Sequence, residues 1–157
     1  MPKKVNWIPE GYHTLTPYLA IRDAARAIEF YKKAFGAEEV TRMHWPNGTV
    51  MHAEMKIGDS FFMLGEESVE MGSPSPQTLK GTTQGVFMYV KDVDAAFKRA
   101  VDAGAKVTME LGDMFWGDRY GKLEDPFGHS WALATHKEDL TAAEIHKRTE
   151  AFLRGHK

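Results

Sequence analysis

The segment "VMHAEMK" sets His52 and Glu54 two residues apart. On an extended strand such residues share one face, leaving Met51, Ala53, Met55 and Ile57 on the other. A glutamate buried beside an imidazole suits general acid–base chemistry, because desolvation raises its pKa toward neutrality. With His44 one strand earlier, a His–Glu–His metal set is conceivable. The plainer reading is a polar sheet face with a histidine–glutamate hydrogen bond. A second chemical stretch, "WGDRYGKLEDPFGHSW" from Trp116 to Trp131, holds Asp118, Arg119, Glu124, Asp125 and His129. The planar fork of Arg119 would clamp a carboxylate or phosphate, or form a salt bridge to Asp118, Glu124 or Asp125. Asp125, Pro126 and Gly128 are turn residues, which makes His129 part of that turn and Trp131 part of the core. His136, His146 and His156 fall in or near the tail and read as solvated, and His13 carries no pattern. No serine or threonine has a triad-like context, and no glycine-rich loop has phosphate-cradle spacing.

The elements that must position these groups come in two similar sets. "YLAIRDAARAIEFYKKAFGAE" parallels "FMYVKDVDAAFKRAVDAGAK", with Tyr18, Leu19, Ile21 and Asp23 matching Phe87, Met88, Val90 and Asp92 at an offset of 69. "GDSFFML" parallels "GHSWALA" at an offset of 70. Each set opens with an apolar strand, 17–21 or 86–90, and an Asp placed to cap a helix. The helical spacing of Ala24, Ala27, Ile28, Tyr31 and Phe35 predicts the first helix, and that of Val93, Ala96, Phe97, Ala100 and Val101 the second. Gly36 and Gly104 mark their ends. Three strands follow in each set, at 39–45, 50–57 and 60–64, then at 107–111, 121–124 and 130–135, separated by hairpin turns. The modules span about 12–66 and 84–136. The Gly-, Ser- and Pro-rich segment 67–83 reads as a mobile loop. Residues 137–157 read as a helical tail, with Thr141 and Glu144 as a capping box and Leu140, Ile145 and Phe152 as an apolar stripe.

The 157 residues suit one domain or two small, intimate halves. A net charge of −2 offers no basic field for nucleic acid or an anionic membrane. The absence of cysteine excludes disulfides, thiolate metal sites and cysteine nucleophiles. No apolar run reaches the roughly 20 residues of a membrane span, and the N-terminus lacks a signal peptide's apolar region. A cytoplasmic protein is the expectation.

The tandem βαβββ order resembles the vicinal oxygen chelate superfamily, which includes glyoxalase I and the bleomycin-resistance proteins. The closer likeness is to its PhnB-like branch. The residues that carry it are "TPYLAIRDAARAIEFYKKAFGAEE", "HAEMKIGDSFFML", "VKDVDAAFKRAVDAGAKV" and, most specifically, "MFWGDRYGKLEDPFGHSWALATHKEDLT". The resemblance implies an α+β fold in which each module curls a mixed sheet into a trough, with helices on the convex side. Metal-dependent members hold a divalent ion with four side chains from four strands. Here those positions fall on Thr16, Phe62 (or Met63 with a one-residue slip), Gly85 and Ala132, which lack a histidine or carboxylate. No cofactor is therefore expected at that place; a divalent metal enters only if a displaced site forms at His44, His52 and Glu54.

Strand parity within such a trough puts Thr16, Tyr18 and Ala20, then Gly85, Phe87 and Tyr89, then Ser130, Ala132 and Ala134 on the inner face, with Phe115 and Trp116 near one lip. Tyr18, Phe87, Tyr89, Trp116 and Arg119 are the candidate ligand contacts. They suit a small aromatic or amphipathic molecule, or else they fill a core. His52 and Glu54 are the candidate catalytic groups. Three functions follow: a metal-free small-molecule binder, a glyoxalase-like metalloenzyme with a displaced site, or an interaction module whose trough is closed. The resemblance also implies a homodimer.

Overall fold

The alternation of strand-period and helix-period apolar residues gives two βαβββ units, described here from a computed structural model of residues 5–156. The first contains β1 (Tyr18–Ile21), α1 (Ala24–Phe35), β2 (Glu38–His44), β3 (Val50–Ile57) and β4 (Ser60–Glu66). Its sheet runs β1-β4-β3-β2, with β1 and β4 parallel and the other pairs antiparallel. A parallel pair needs a long crossover, and α1 begins that crossover. The apolar face of α1 (Ala24, Ala27, Ile28 and Tyr31) is buried together with Leu19, Ile21, Ala53, Met55, Phe62 and Leu64 of the sheet. Gly36 ends the helix at φ 66° and donates its N–H to the Lys32 carbonyl.

Asp23 does not cap α1 as expected. It adopts φ 67°, and its side chain accepts no capping bond. The Glu66 carboxylate, at the end of β4, accepts the N–H groups of Asp23 (2.8 Å) and Ala24 (3.0 Å) instead. The segment expected as a mobile loop is also more ordered than its composition suggests. Ser68 and Ser73 form a β-bridge, and α2 (Pro76–Leu79) is capped by the fully buried Ser75. Glu67 holds this segment by accepting from Arg22 Nε (2.7 Å), Thr78 Oγ1 (2.7 Å) and the Ser75 N–H (2.9 Å). The Arg22 guanidinium, with those donors, holds the Glu67 carboxyl down at about 2.

The second unit contains β5 (Gly85–Tyr89), α3 (Val93–Ala103), β6 (Lys106–Asp113), β7 (Asp118–Glu124) and β8 (Ser130–His136). Its sheet runs β5-β8-β7-β6, again with the outer pair β5 and β8 parallel. Asp92 caps α3 as expected, accepting from the Ala95 N–H at 3.0 Å, and Thr135 of β8 accepts the Val93 N–H at 2.9 Å. Val93, Phe97 and Ala100 are buried with Leu123, Trp131 and Leu133. Gly121 is required beneath α3, since a Cβ there would stand 2.8 Å from the Phe97 ring. A last helix, α4 (Ala142–Gly155), has the expected Thr141–Glu144 capping box, but none of its residues is buried.

The module boundary expected at 84–136 is interrupted. Pro126–Gly128, the tip of the β7–β8 hairpin, belong with the first unit. Phe127 is 1% exposed there, with Phe30 and Tyr31 at 6.0 and 6.3 Å between ring centroids and the Arg26 guanidinium 5.1 Å above its ring. Asp125 and His129 remain with the second unit. Asp125 is 3% exposed and accepts from the His129 N–H (3.0 Å) and the Trp131 indole (2.9 Å). This confirms His129 as a turn residue and Trp131 as core. Among the described residues no helix is long and apolar enough to cross a membrane.

Candidate functional site

Each sheet buries one face under helices and leaves the other open. Ladder pairing builds the open face of the second unit row by row, since directly paired residues point the same way. Phe87, Ala132, Lys122 and Met109 form one row across β5, β8, β7 and β6. Tyr89, Ala134, Tyr120 and Gly112 form the next, and His136 with Asp118 lies beyond it. The central strand contributes only small side chains, so rings from its neighbours cover it. Phe87 and Tyr120 stack at 5.6 Å and 25°, and Tyr89 and Trp116 join at 5.0 Å from Phe87 and 5.5 Å from Tyr120 respectively. Ala132 and Ala134 are buried, whereas Phe87 and Tyr89 are 48% and 62% exposed.

The polar edges of these rings are tied to Asp118, which is 3% exposed. Its Oδ2 accepts from the Tyr89 hydroxyl at 3.0 Å and the Trp116 indole at 3.1 Å. Its Oδ1 lies 2.8 Å from His136 Nδ1, while His136 Nε2 lies 2.9 Å from Asp139. The hydrogen bond to Asp118, followed by burial, raises the Tyr89 phenol. The bond to Asp118, then that to Asp139, raises His136. His136 is therefore more than the solvated tail histidine expected from sequence. Beside these groups a cleft of about 730 Å³ is walled by Met109, Met114, Phe115, Trp116, Arg148 and Phe152. Phe152, from the expected α4 stripe, lies 4.9 Å from Phe115 between ring centroids.

Thus Phe87, Tyr89 and Trp116 come together as expected, and Arg119 does not join them. It alternates with Asp118 and Tyr120 along β7 and turns to the helix side. There it makes a bidentate bond to Asp94 of α3 (2.8 Å to each oxygen) and a third contact to Asp113 at 3.2 Å. None of the three carboxylates expected as its salt-bridge partners is used in these bonds. Tyr120 and Lys122 have no role in the sequence reading, which takes Asp118 as a partner of Arg119 and His136 as a solvated tail residue. Counting back from Ala132 and Ala134 through the DPFG turn would have placed the first two on this face.

In the first unit, Tyr18 is 52% exposed and stacks on His52 at 6.0 Å. His52 and Glu54 share the open face, but His52 Nε2 lies 3.6 Å from Glu54 Oε1, too far for the expected hydrogen bond. Tyr12 stacks on Phe61 at 4.4 Å, and its buried hydroxyl has no well-aligned hydrogen-bond partner. Burial and then the neighbouring Glu54 push this phenol up to about 12, although the carboxylate is not aligned to accept its proton. His44 stays apart. A register shift pairs it with the fully buried Val50, whereas Met43 faces His52. Among the described residues no three His, Asp or Glu side chains stand close enough together to hold a metal ion.

The superfamily metal positions also lack the chemistry to hold one. Phe62 is not the inner-face residue; it packs on the helix side against Tyr31, with centroids 5.6 Å apart, and Met63 pairs with Tyr18 on the open face. Met63 is thus the counterpart of Ala132, which pairs with Phe87. Thr16, Met63, Gly85 and Ala132 supply no imidazole or carboxylate.

Comparison with known proteins agrees with this architecture. An uncharacterised protein of Mycobacterium bovis is 43% identical over 134 residues, covering 83% of this chain and 88% of its own. The crystal structure of an Arabidopsis thaliana gene product is 30% identical, with a TM-score of 0.63, covering 78% of this chain and 98% of that one. The PhnB protein from Bacillus cereus, 22% identical with a TM-score of 0.62 over 78% of this chain and 99% of its own, shares the fold. The family model described as the Glyoxalase/Bleomycin resistance protein/Dioxygenase superfamily matches residues 12–133, and the chain belongs to that superfamily.

Proposed function

We propose that the protein binds a small planar molecule on the open sheet face of its second unit, without the superfamily's metal. The observation that carries this reading is the ring cluster above Ala132 and Ala134, in which Phe87 and Tyr89 are exposed and Tyr120 and Trp116 half-buried. Aromatic faces left in water are a costly arrangement unless something covers them. The tyrosine hydroxyl and the indole N–H donate to Asp118, which holds the rings of Tyr89 and Trp116 in place. The adjoining cleft has a volume typical of a small-molecule site.

The reading is tested by titrating planar aromatic compounds while following tryptophan fluorescence and thermal unfolding. Binding compounds should quench Trp116 and raise Tm. Phe87→Ala should weaken them by roughly 2- to 10-fold, the size of one lost stacking contact. A library in which aliphatic compounds bind as well as aromatic ones, or in which Phe87→Ala changes nothing, contradicts the reading.

A further inference from the structure

We infer that the occupant of this face is a planar aromatic anion, with its ring against Phe87 and Tyr120 and its anionic group on Lys122. The inference rests on the binding reading above and adds the charge of the ligand. Lys122 shares a ladder row with Phe87, Ala132 and Met109, so its side chain rises on the ring-bearing face, one alternation from Tyr120. Its flanking row partners, Ala132 and Met109, carry no charge. The next residue along β7 on that face, Glu124, is exposed and lies one row farther from the rings, in register with Ser130 and Lys106. Lys122 is half-buried, and its ammonium makes no hydrogen bond or ion pair within 4.0 Å among the described residues.

The other charged groups beside the rings are already engaged. Asp118 faces three donors, from Tyr89, Trp116 and His136. His136 stands between two carboxylates, and Arg119 is on the opposite side of the sheet with Asp94 and Asp113. A cationic ligand stacked on these rings would find no free carboxylate in their own rows, since Glu124 stands one row beyond Lys122, beside Ser130 and Lys106. An anionic one would find an ammonium beside a stacking platform, on a flexible stem that can follow it. Aromatic carboxylates carry the required flat ring and terminal charge.

Three probes of one shape separate the possibilities: 2-naphthoate, neutral 2-naphthamide and 2-naphthylmethylammonium, titrated by calorimetry into the whole chain. Naphthoate should bind at least tenfold more tightly than the amide, and the ammonium probe most weakly. Added salt should narrow that gap, because the Lys122 contact is solvent-accessible. Lys122→Met and Lys122→Gln should bring naphthoate to the affinity of the amide and leave the amide unchanged. Equal affinities for naphthoate and amide, or a preference that survives both substitutions, overturn the charge assignment and leave the binding reading standing. Failure of all three probes to bind overturns both. Self-association that masks the face in proportion to protein concentration makes a second copy the occupant and overturns the inference as well.

Discussion

Asp125→Ala should destabilise the protein through two donors that meet a buried carboxylate. Asp125 is 3% exposed and Trp131 1% exposed, so no bulk water replaces the lost acceptor of the indole N–H. Leaving such a donor without its acceptor costs about 1–3 kcal/mol. The His129 N–H loses a second bond, worth about 0.5–1.5 kcal/mol in a half-buried setting. The combined loss of about 2–4 kcal/mol corresponds to a fall in Tm of roughly 5–15 °C for a chain of this size. Asp125→Asn retains one acceptor oxygen and should lose less. Trp131→Phe removes the donor and leaves a small void, at about 1–3 kcal/mol. The informative species is the double variant. With donor and acceptor both gone, it should be more stable than the sum of the single losses predicts, by about 1–2 kcal/mol. Urea unfolding of the four proteins at one pH measures this coupling. Additivity within about 0.3 kcal/mol would refute the claim that the indole bond organises the turn.

The imidazole of His136, hydrogen-bonded to Asp118 and Asp139, should titrate above its ordinary value near 6.5 in an NMR pH series. Because that pKa is raised in the folded state, its stabilising contribution is complete below about 6.5 and fades as pH rises through the folded value. Asp139→Asn should move the midpoint down, and an unchanged midpoint excludes the clamp. Glu67 has the opposite sign: its carboxyl lies near 2, so its contribution is present above the unfolded value of about 4.3 and is lost as pH falls toward 2. Glu67→Gln should cost about 1.5–3 kcal/mol at pH 7 by urea unfolding and much less near pH 2; an equal cost at both contradicts this linkage. Gly121→Ala would place a methyl 2.8 Å from Phe97, 3.0 Å from Leu111 and 3.1 Å from the Met109 carbonyl, and should destabilise by about 1–3 kcal/mol in the same assay. A neutral substitution would mean that α3 lies farther from β7.

The two-unit architecture was legible because both modules repeat a strand, an Asp, a helix and three further strands within about 70 residues. What escaped depended on partners far along the chain. Asp23 and Asp92 occupy equivalent places, yet only Asp92 caps its helix, because Glu66 reaches the first helix from the end of β4. His44 was grouped with His52 and Glu54 by strand order, and a register shift between Met43 and His44 undoes that grouping. Arg119 was read by its nearby acids, but its bidentate partner, Asp94, is 25 residues away on the helix packed over its side of the sheet. Ring residues at Phe87 and Tyr89 could be placed by alternation alone. Tyr120, Lys122 and Asp118 required the register of β7 against β8, which the turn between them fixes.

The most direct test of the ligand face is an NMR titration of methyl-labelled protein with 2-naphthoate. Ring-current shifts act over a few ångströms, so the methyls of Ala132 and Met109 report contact with the row of Phe87, and that of Ala134 with the row of Tyr120. Binding as described predicts saturable shifts at these three with a shared dissociation constant, while Ala142 and Ala143 at the start of α4 stay fixed. Saturable shifts confined to other methyls, or none at all, would contradict the open sheet face of the second unit as the binding site.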